Sequence, residues 1–262
     1  MKKIFLPLLI VALLPSLSAC KDEAHGIVAI KSFNKSFQFI ELDREQFVNL
    51  VESGQEFLFE FYSSTCGHCE DLEPLLEKYS SSTGNIIYRI EASKVLGSEE
   101  LEDLTKKYTG VFIDNYVPHV SFVKDKTLTY DVPDEPLDNY SQLKRSIDKH
   151  LISSKINMVN NYNDYVSYTS SKKDYLIYSY DLDNQKSLEI AYQSIINKQS
   201  KHLNKDVILL NKSGFASDFD KIQTSLNISN TTFCALVKSN EVTKTIDYLT
   251  DGNLVNEMLS NL

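Results

Sequence analysis

Cysteine is scarce in this sequence of 262 residues, which contains only four, so a small fold held together mainly by disulfide bonds is excluded. Basic residues are also few, since 27 Lys and Arg stand against 36 Asp and Glu, for a formal charge of −9. Binding to phosphate backbones needs clustered Lys and Arg, so we expect no nucleic acid partner. No apolar run reaches the roughly 20 residues that cross a bilayer, so no conventional membrane-spanning helix is expected.

The composition that remains is typical of a globular protein. Hydrophobic residues make up 42% of the chain and charged residues 24%, which excludes wholesale disorder. A length of 262 residues predicts two domains, each long enough to bury a core.

The N-terminus has the pattern of an export signal. Residues 1–3 are basic at two positions, and residues 4–17 are almost entirely apolar. The segment ends in Leu17-Ser18-Ala19-Cys20, which resembles the bacterial lipobox, in which Cys20 is lipidated and becomes the first mature residue. The alternative is ordinary cleavage near Ser18, which leaves Cys20 as a free thiol. We therefore expect residues 1–19 to be removed and residues 20–35 to tether an extracytoplasmic, membrane-anchored protein.

Strand and helix patterns alternate in residues 36–153, which we predict to form one α/β domain. This order fits a mixed sheet covered by helices. The predicted elements are a strand at 37–42, a helix capped by Asp43, strand 57–62, helix 69–79, strand 86–90, helix 98–108, a hairpin of strands 119–123 and 127–130, and helix 138–152.

Residues 154–262 repeat the same order at an offset of about 120 residues, which predicts a second domain of the same fold. The junction is expected between Ser153 and Asn161. The predicted elements are strand 156–159, a helix capped by Asn163, strand 174–180, helix 188–197, strand 206–210, helix 218–226, a hairpin of strands 232–238 and 242–248, and helix 253–259.

One motif carries thiol chemistry. Cys66-Gly67-His68-Cys69 lies between a predicted strand and a helix, so the unpaired N–H groups of the helix favour a thiolate at Cys66. We expect Cys66 to face solvent and attack a disulfide, and Cys69 to point inward and resolve the mixed disulfide. A protonated His68 would stabilise the thiolate further and make the Cys66–Cys69 disulfide more oxidising.

Residues 58–69 resemble the active-site strand and turn of the thioredoxin superfamily, and especially the catalytic domains of protein disulfide isomerase. The resemblance rests on the Gly-His pair between the cysteines and on three positions outside the motif. It implies that Glu60 is a buried carboxylate that moves the proton of the resolving cysteine. It implies that Pro74 kinks the active-site helix, and that Pro118 is a cis-proline beside the cysteines, where substrate backbone pairs.

The sequence departs from this family at two places near the motif. Thr65 replaces the tryptophan that usually precedes the first cysteine, so part of the family's apolar substrate-binding face is missing. About four extra residues lie between Tyr108 and Pro118, which can reshape the same face.

The second predicted domain has no redox motif. Asp181-Leu182-Asp183-Asn184 stands where the first has its two cysteines, and Asn230-Thr231-Thr232 stands where the first has Pro118. The arrangement resembles the non-catalytic thioredoxin-like domains of disulfide isomerases, which implies a role in binding or spacing.

Other candidate residues have plainer explanations. A zinc site at the motif would need two further ligands, so no metal and no cofactor are expected. Cys234 lies in a strand pattern and is expected to be a buried thiol, with a resolving role as the alternative. His119 either packs at the start of its strand or tunes the active site. The tyrosines of the second half favour core packing over a substrate surface; they are Tyr162, Tyr165, Tyr168, Tyr175, Tyr178, Tyr180 and Tyr192.

The leading hypothesis is a lipid-anchored thiol–disulfide oxidoreductase that acts as oxidase or isomerase on cysteines of exported proteins. Its expected partners are protein thiols and disulfides, a membrane redox partner and the membrane itself. One alternative is a reductase that receives electrons from a membrane partner. Another, from a different class, is a surface-binding or chaperone-like protein without enzymatic activity.

Overall fold

The computed structural model describes residues 26–35, 39–94, 106–108, 116–132, 139–172, 174–199 and 205–260. Cys20, the export signal and most of the helix expected at 98–108 lie outside these residues. Within them, no helix has both the length and the apolar composition that crossing a membrane requires.

Strands and helices alternate along most of the described chain. The strands are β1 Ile27–Val28, β2 Lys31–Ser32, β3 Phe39–Glu41, β4 Phe57–Tyr62, β5 Ile87–Glu91, β6 His119–Lys124, β7 Thr127–Asp131, β8 Leu151–Ile152, β9 Ile156–Val159, β10 Tyr175–Tyr180, β11 Asp206–Asn211, β12 Phe233–Lys238 and β13 Glu241–Ile246. The helices are α1 Arg44–Glu52, α2 Gly67–Thr83, α3 Tyr140–Asp148, α4 Tyr162–Ser171, α5 Gln185–Gln199, α6 Lys212–Phe215, α7 Phe219–Leu226 and α8 Tyr248–Ser260.

Two mixed sheets organise these elements. The first has the order β3-β5-β4-β6-β7, with β3, β5 and β4 parallel and with β6 and β7 antiparallel to their neighbours. The second repeats this order and these directions as β9-β11-β10-β12-β13, and adds β2 beside β9. The mixed α/β fold expected from the sequence is confirmed.

Local signals explain where several elements begin and end. Asp43 caps α1 as predicted, in a capping box with Gln46. β4 is covered on both faces, which its unbroken apolar and aromatic run indicates. Helix α2 ends at Gly84, whose φ of 79° is a left-handed conformation that glycine adopts without steric cost. In the second half the cap of α4 is Asn161 rather than Asn163.

Residues 26–35, expected from the sequence to belong to a tether, are part of the fold. β1 pairs in parallel with β8, and β2 pairs in parallel with β9. The run Ile27 to Ile30 is buried throughout. Four apolar residues are too few to show a period, and their pairing partners lie more than a hundred residues further along the chain, so local patterns do not reveal them. The same pairing ends α3 at Asp148 instead of Ile152, because Leu151 and Ile152 are used by β8.

The two sheets share one apolar core instead of being joined only by a linker. Helix α1 packs against α5. The Tyr192 hydroxyl of α5 donates a hydrogen bond to the Glu56 carbonyl at 3.3 Å. Burial of apolar surface contributes about 25 cal/mol per Å², so separating the halves would expose a costly surface. The core side chains contributed from the two sides include Phe47, Leu50, Val51, Leu188, Tyr192 and Ile195.

Candidate functional site

Cys66 lies at the N-cap of α2, where β4 has just ended. Its sulfur accepts a hydrogen bond from the Cys69 backbone N–H at 3.3 Å, and its thiol donates to the Val117 carbonyl at 3.5 Å. Both cysteines of the motif are free thiols, and Cys66 is half-buried. The Cys66 sulfur therefore faces a backbone N–H group at the N-terminus of α2.

Cys69 lies in the first turn of α2 and is only 4% exposed. The Ser63 backbone N–H reaches its sulfur at 3.5 Å. Burial raises the pKa of the Cys69 thiol to about 12, and its hydrogen bond with Cys66 and the nearby Glu60 carboxyl act in the same direction. Cys69 is therefore held as a neutral thiol behind the more accessible Cys66 and needs a base to become nucleophilic.

Glu60 projects from β4 into the interior and is 1% exposed. Burial raises the pKa of its carboxyl to about 8, although the positive charge of Arg89 opposes this shift. The Arg89 Nη1 atom is 3.9 Å from Glu60 Oε2. A carboxyl group with a pKa near 8 can both take up and release a proton close to neutral pH, which is the requirement for a general acid–base.

Arg89 on β5 was missed by the sequence reasoning. It lies directly beside Glu60 in the register of β4 and β5. Its guanidinium group forms an ion pair with Glu73 at 2.9 Å and another with Glu41. The rings of Phe39 and Tyr62 lie 4.3 and 4.6 Å from the guanidinium carbon, in cation–π contact. The available signal was a lone arginine within the strand Ile86–Ile90, a position where an uncompensated charge is rare.

The remaining residues of the motif lie at the surface around Cys66. Gly67 and His68 are exposed in the first turn of α2, and a Cβ on Gly67 would contact nothing within 4 Å. Pro74 lies inside α2. The Val117–Pro118 peptide is cis, and it immediately precedes β6 beside the Cys66 sulfur.

The turn before Cys66 is polar throughout. The Ser63 and Thr65 hydroxyl oxygens are 3.1 Å apart, and the Ser64 hydroxyl donates to Glu91 at 2.7 Å. Thr65 is exposed, at the position where the family usually has tryptophan. This side of the motif offers hydrogen-bonding groups rather than an apolar surface.

Cys234 and His119 are not surface residues. Cys234 is fully buried in β12 of the second sheet, and burial raises its pKa to about 12. The structure therefore does not bring Cys234 to the exposed turn that holds Cys66. His119 is 5% exposed and opposes Phe61 across β4 and β6, next to Pro118.

The tyrosine-rich segments of the second half contribute mainly to its core. All of the tyrosines named above are buried except Tyr162, which is half-buried. Among the residues that the structure describes, no cluster of three His, Cys, Asp or Glu side chains could hold a metal ion.

Comparisons with known proteins agree with this geometry at the level of the fold. Residues 38–148 match the thioredoxin family model. No curated protein sequence matches the chain. The match defines a mixed α/β protein with a thioredoxin-like domain, the fold of a superfamily whose members are generally thiol–disulfide oxidoreductases.

Solved structures resemble parts of the chain at low identity. The J-Trx1 fragment of ERdj5 is 19% identical over 43% of this chain and 49% of that chain, with a TM-score of 0.34. The zinc-bound form of human ERp44 is 10% identical over 86% of this chain and 57% of that chain, with a TM-score of 0.33. A mutant thioredoxin from Halobacterium salinarum is 22% identical over 43% of this chain and 90% of that chain, with a TM-score of 0.32. The chain thus spans about half the length of the ERdj5 fragment.

Proposed function

We propose that this protein is a lipid-anchored, extracytoplasmic thiol–disulfide oxidoreductase that acts as oxidase or isomerase on cysteines of exported proteins. The observation that carries the proposal is the arrangement of Cys66 at the N-cap of α2, with the Cys69 thiol buried behind it. Glu60 adds the group that thiol exchange needs, a buried carboxyl with a pKa of about 8.

The chemistry follows from these three side chains. The Cys66 thiolate attacks one sulfur of a substrate disulfide, forming a mixed disulfide and releasing the other sulfur, which takes up a proton. Ionised Glu60 removes the proton of Cys69, and the Cys69 thiolate then attacks the sulfur of Cys66. The Cys66–Cys69 disulfide forms and the second substrate sulfur leaves as a thiol. The substrate is reduced and the dithiol oxidised; the reverse sequence donates the disulfide to a substrate.

The decisive experiment traps the mixed disulfide. Cys69→Ser should accumulate disulfide-linked substrate proteins through Cys66, and Cys66→Ser should abolish disulfide exchange with insulin. Cys234→Ser is the matched control, since this thiol is buried in the other sheet, and it should exchange like the wild type. Capture by Cys66→Ser but not by Cys69→Ser would reverse the two roles.

The direction of electron flow is decided by the reduction potential of the Cys66–Cys69 pair. A potential well above that of thioredoxin, about −270 mV, supports an oxidase or isomerase, and a potential at or below it supports a reductase fed by a membrane partner. A protein without a reversible couple would instead be a binding or chaperone-like protein.

Membrane attachment is proposed to depend on a lipid at Cys20. Cys20→Ser should move the protein from the membrane fraction to the soluble fraction, with the thiol chemistry of Cys66 unchanged. Mass spectrometry that finds an unmodified Cys20 at the mature N-terminus of the wild type would contradict this part of the proposal.

A further inference from the structure

Tyr116 is an exposed aromatic residue two positions before Pro118, in the segment that contacts the Cys66 sulfur through Val117. It is 50% exposed, more than any other large apolar side chain in the described part of the chain. It directly precedes Val117, whose carbonyl oxygen is 3.5 Å from Cys66 Sγ. Neighbouring Cα atoms are about 3.8 Å apart, so a molecule joined to Cys66 is within reach of Tyr116.

The described residues on either side of Cys66 in the sequence offer little apolar surface. The preceding turn is formed by Ser63, Ser64 and Thr65, whose hydroxyl groups are engaged with each other or with Glu91. The following residue, Gly67, has no side chain. Among the described residues, Tyr116 is the large exposed apolar side chain on the side of Cys66 where Val117 and Pro118 lie.

We propose that Tyr116 is a specificity-determining residue that packs on an apolar side chain next to the cysteine of a substrate disulfide. The inference rests on the proposed exchange reaction and names the substrate class that it favours, polypeptides with apolar residues beside their cysteines. Tyrosine suits this role because its ring supplies a large apolar contact and its hydroxyl remains hydrated when no substrate is bound.

The contact affects binding and not the exchange of sulfur atoms. Tyr116 neither donates nor accepts a proton in the reaction, so its ring should help a peptide to bind and leave the bond-forming step unchanged. Loss of such a uniform contact raises KM and leaves kcat unchanged. A small disulfide without an apolar flank should not respond to the substitution.

The test compares Tyr116→Ala, Tyr116→Phe and the wild type on three disulfides. Two are peptides of the same sequence except for Phe or Ser next to the cysteine, and the third is hydroxyethyl disulfide. Leu254→Ala is the matched control, because Leu254 is 41% exposed on α8, away from the Cys66 turn. Thermal unfolding of each variant shows that the fold is kept.

We expect Tyr116→Ala to raise KM for the Phe peptide about fivefold, or about 1 kcal/mol at 1.4 kcal/mol per factor of ten. KM for the Ser peptide and for hydroxyethyl disulfide should change less than about twofold. Tyr116→Phe should behave like the wild type, and so should Leu254→Ala. An equal change for the Phe and Ser peptides, or no change for either, overturns the role of Tyr116 while leaving the oxidoreductase intact. A wild type that exchanges with none of the three disulfides overturns the proposed function itself.

Discussion

The two sheets have the same strand order, and the turns that follow their central strands have the same hydrogen bonds. In the first region the Cys66 sulfur accepts from the Cys69 N–H at 3.3 Å. In the second region the Asn184 side-chain oxygen accepts from the Ser187 N–H at 3.3 Å. The prediction that residues 181–184 stand where the first region has its two cysteines was therefore wrong by three residues, because the corresponding turn is 184–187. The backbone therefore provides the same helix cap in both regions, and the capping side chain alone decides whether a nucleophile is present.

The agreement extends to the second position of each turn. The Ser63 N–H reaches the Cys69 sulfur at 3.5 Å, and the Asp181 N–H reaches the Ser187 hydroxyl oxygen at 3.3 Å. Ser187 also lies 3.0 Å from the Tyr248 hydroxyl, inside the protein. The buried Ser187 thus accepts the same backbone hydrogen bond as Cys69 but has no thiol.

The two regions differ more clearly in their buried charged residues. Glu60 lies beside Arg89 on the neighbouring strand, and the corresponding pair in the second sheet is Tyr178 beside Leu209. Burying a carboxylate is costly, and the first region retains one beside Cys69. The comparison teaches that the same strand order forms without the acid and the arginine, which supports the chemical role proposed for Glu60 in the first region.

The two turns also differ in what covers them. The Gln46 side chain donates to the Asp183 carboxylate at 3.1 Å, and the Asn49 side chain donates to the Asp183 carbonyl at 3.4 Å. Helix α1 of the first region thus packs on the turn of the second. The turn at Cys66 keeps Thr65, Gly67 and His68 exposed.

Exchanging the residues of the two turns, 66–69 and 184–187, should have the largest effect on the rate of disulfide exchange. Cys66→Asn with Cys69→Ser should remove disulfide exchange completely. Adding Asn184→Cys and Ser187→Cys to that protein should restore less than about 1% of the wild-type rate, because Tyr178 stands where the first sheet has the buried Glu60 and because the new motif lies against α1. Insulin reduction measures both steps.

A rate close to that of the wild type in the second protein would contradict this expectation. It would mean that a C-x-x-C turn on this backbone is sufficient and that Glu60 and an open turn are dispensable.

Removing the buried carboxyl should change how stability depends on pH. Because burial raises the pKa of Glu60 from an ordinary value of 4.5 to about 8, ionising it is unfavourable in the folded state. The contribution of Glu60 to stability should therefore be most favourable below about pH 4.5 and should be lost as the pH rises from there through about 8. Glu60→Gln should avoid this loss and exceed the wild type by on the order of 2–5 kcal/mol at pH 9, measured by urea unfolding.

Tyr178→Phe is the matched control at the corresponding position of the second sheet. Burial raises the pKa of Tyr178 well above 10, so its hydroxyl stays neutral across this range. Its stability difference from the wild type should be constant from pH 4 to pH 9. A constant difference for Glu60→Gln as well would show that Glu60 does not titrate there.

Arg89→Leu replaces the arginine by the residue type that the second region has at the corresponding position, Leu209. Its effect on the exchange reaction should be smaller than that of the changes above. Loss of the positive charge should raise the pKa of Glu60 further, because Arg89 is the group that lowers it. The pH midpoint of mixed-disulfide resolution should move up by about one unit, and resolution at pH 8 should slow about fivefold. Single-turnover kinetics from pH 6 to 10 measure the shift.

Arg89→Lys should retain most of the wild-type profile, since it keeps the charge. Arg145→Leu, an exposed substitution on α3, should have no effect on it. An unshifted pH midpoint in Arg89→Leu would show that Arg89 does not control the pKa of Glu60.

The smallest expected effect is at His68. The hypothesis is that a positive charge at His68 favours the thiolate of Cys66 and thus the reduced protein. On this hypothesis His68→Pro should make the pair more reducing by about 30–60 mV. Titration against glutathione measures the potential. Lys186→Pro, at the corresponding position of α5, is the control and should leave the potential unchanged. A wild-type potential that His68→Pro does not move would favour the reductase.

The sequence allowed the fold class and most of the site to be predicted, because their signals are local. The Asp43 cap, the apolar run of β4 and the spacing from Glu60 to Cys69 all lie within about 30 residues. Where the structure differed, at β1, β2 and the end of α3, the cause was pairing with strands far along the chain. Arg89 was missed for the same reason, since the register between β4 and β5 is not visible in either strand alone.

By itself, then, the sequence determined the helix N-terminus at Cys66, the buried strand that carries Glu60 and the repeated order of elements. These follow from side-chain periodicity and capping, which act between near neighbours. Only the tertiary structure decided that Arg89 faces Glu60 and that Tyr116 stands exposed beside Val117. It also decided that α1 covers the turn at Asp183, so that the two regions share a core. Each of these features depends on contacts between residues that are far apart in the sequence. Strand register and burial determine such contacts only when the whole chain has folded.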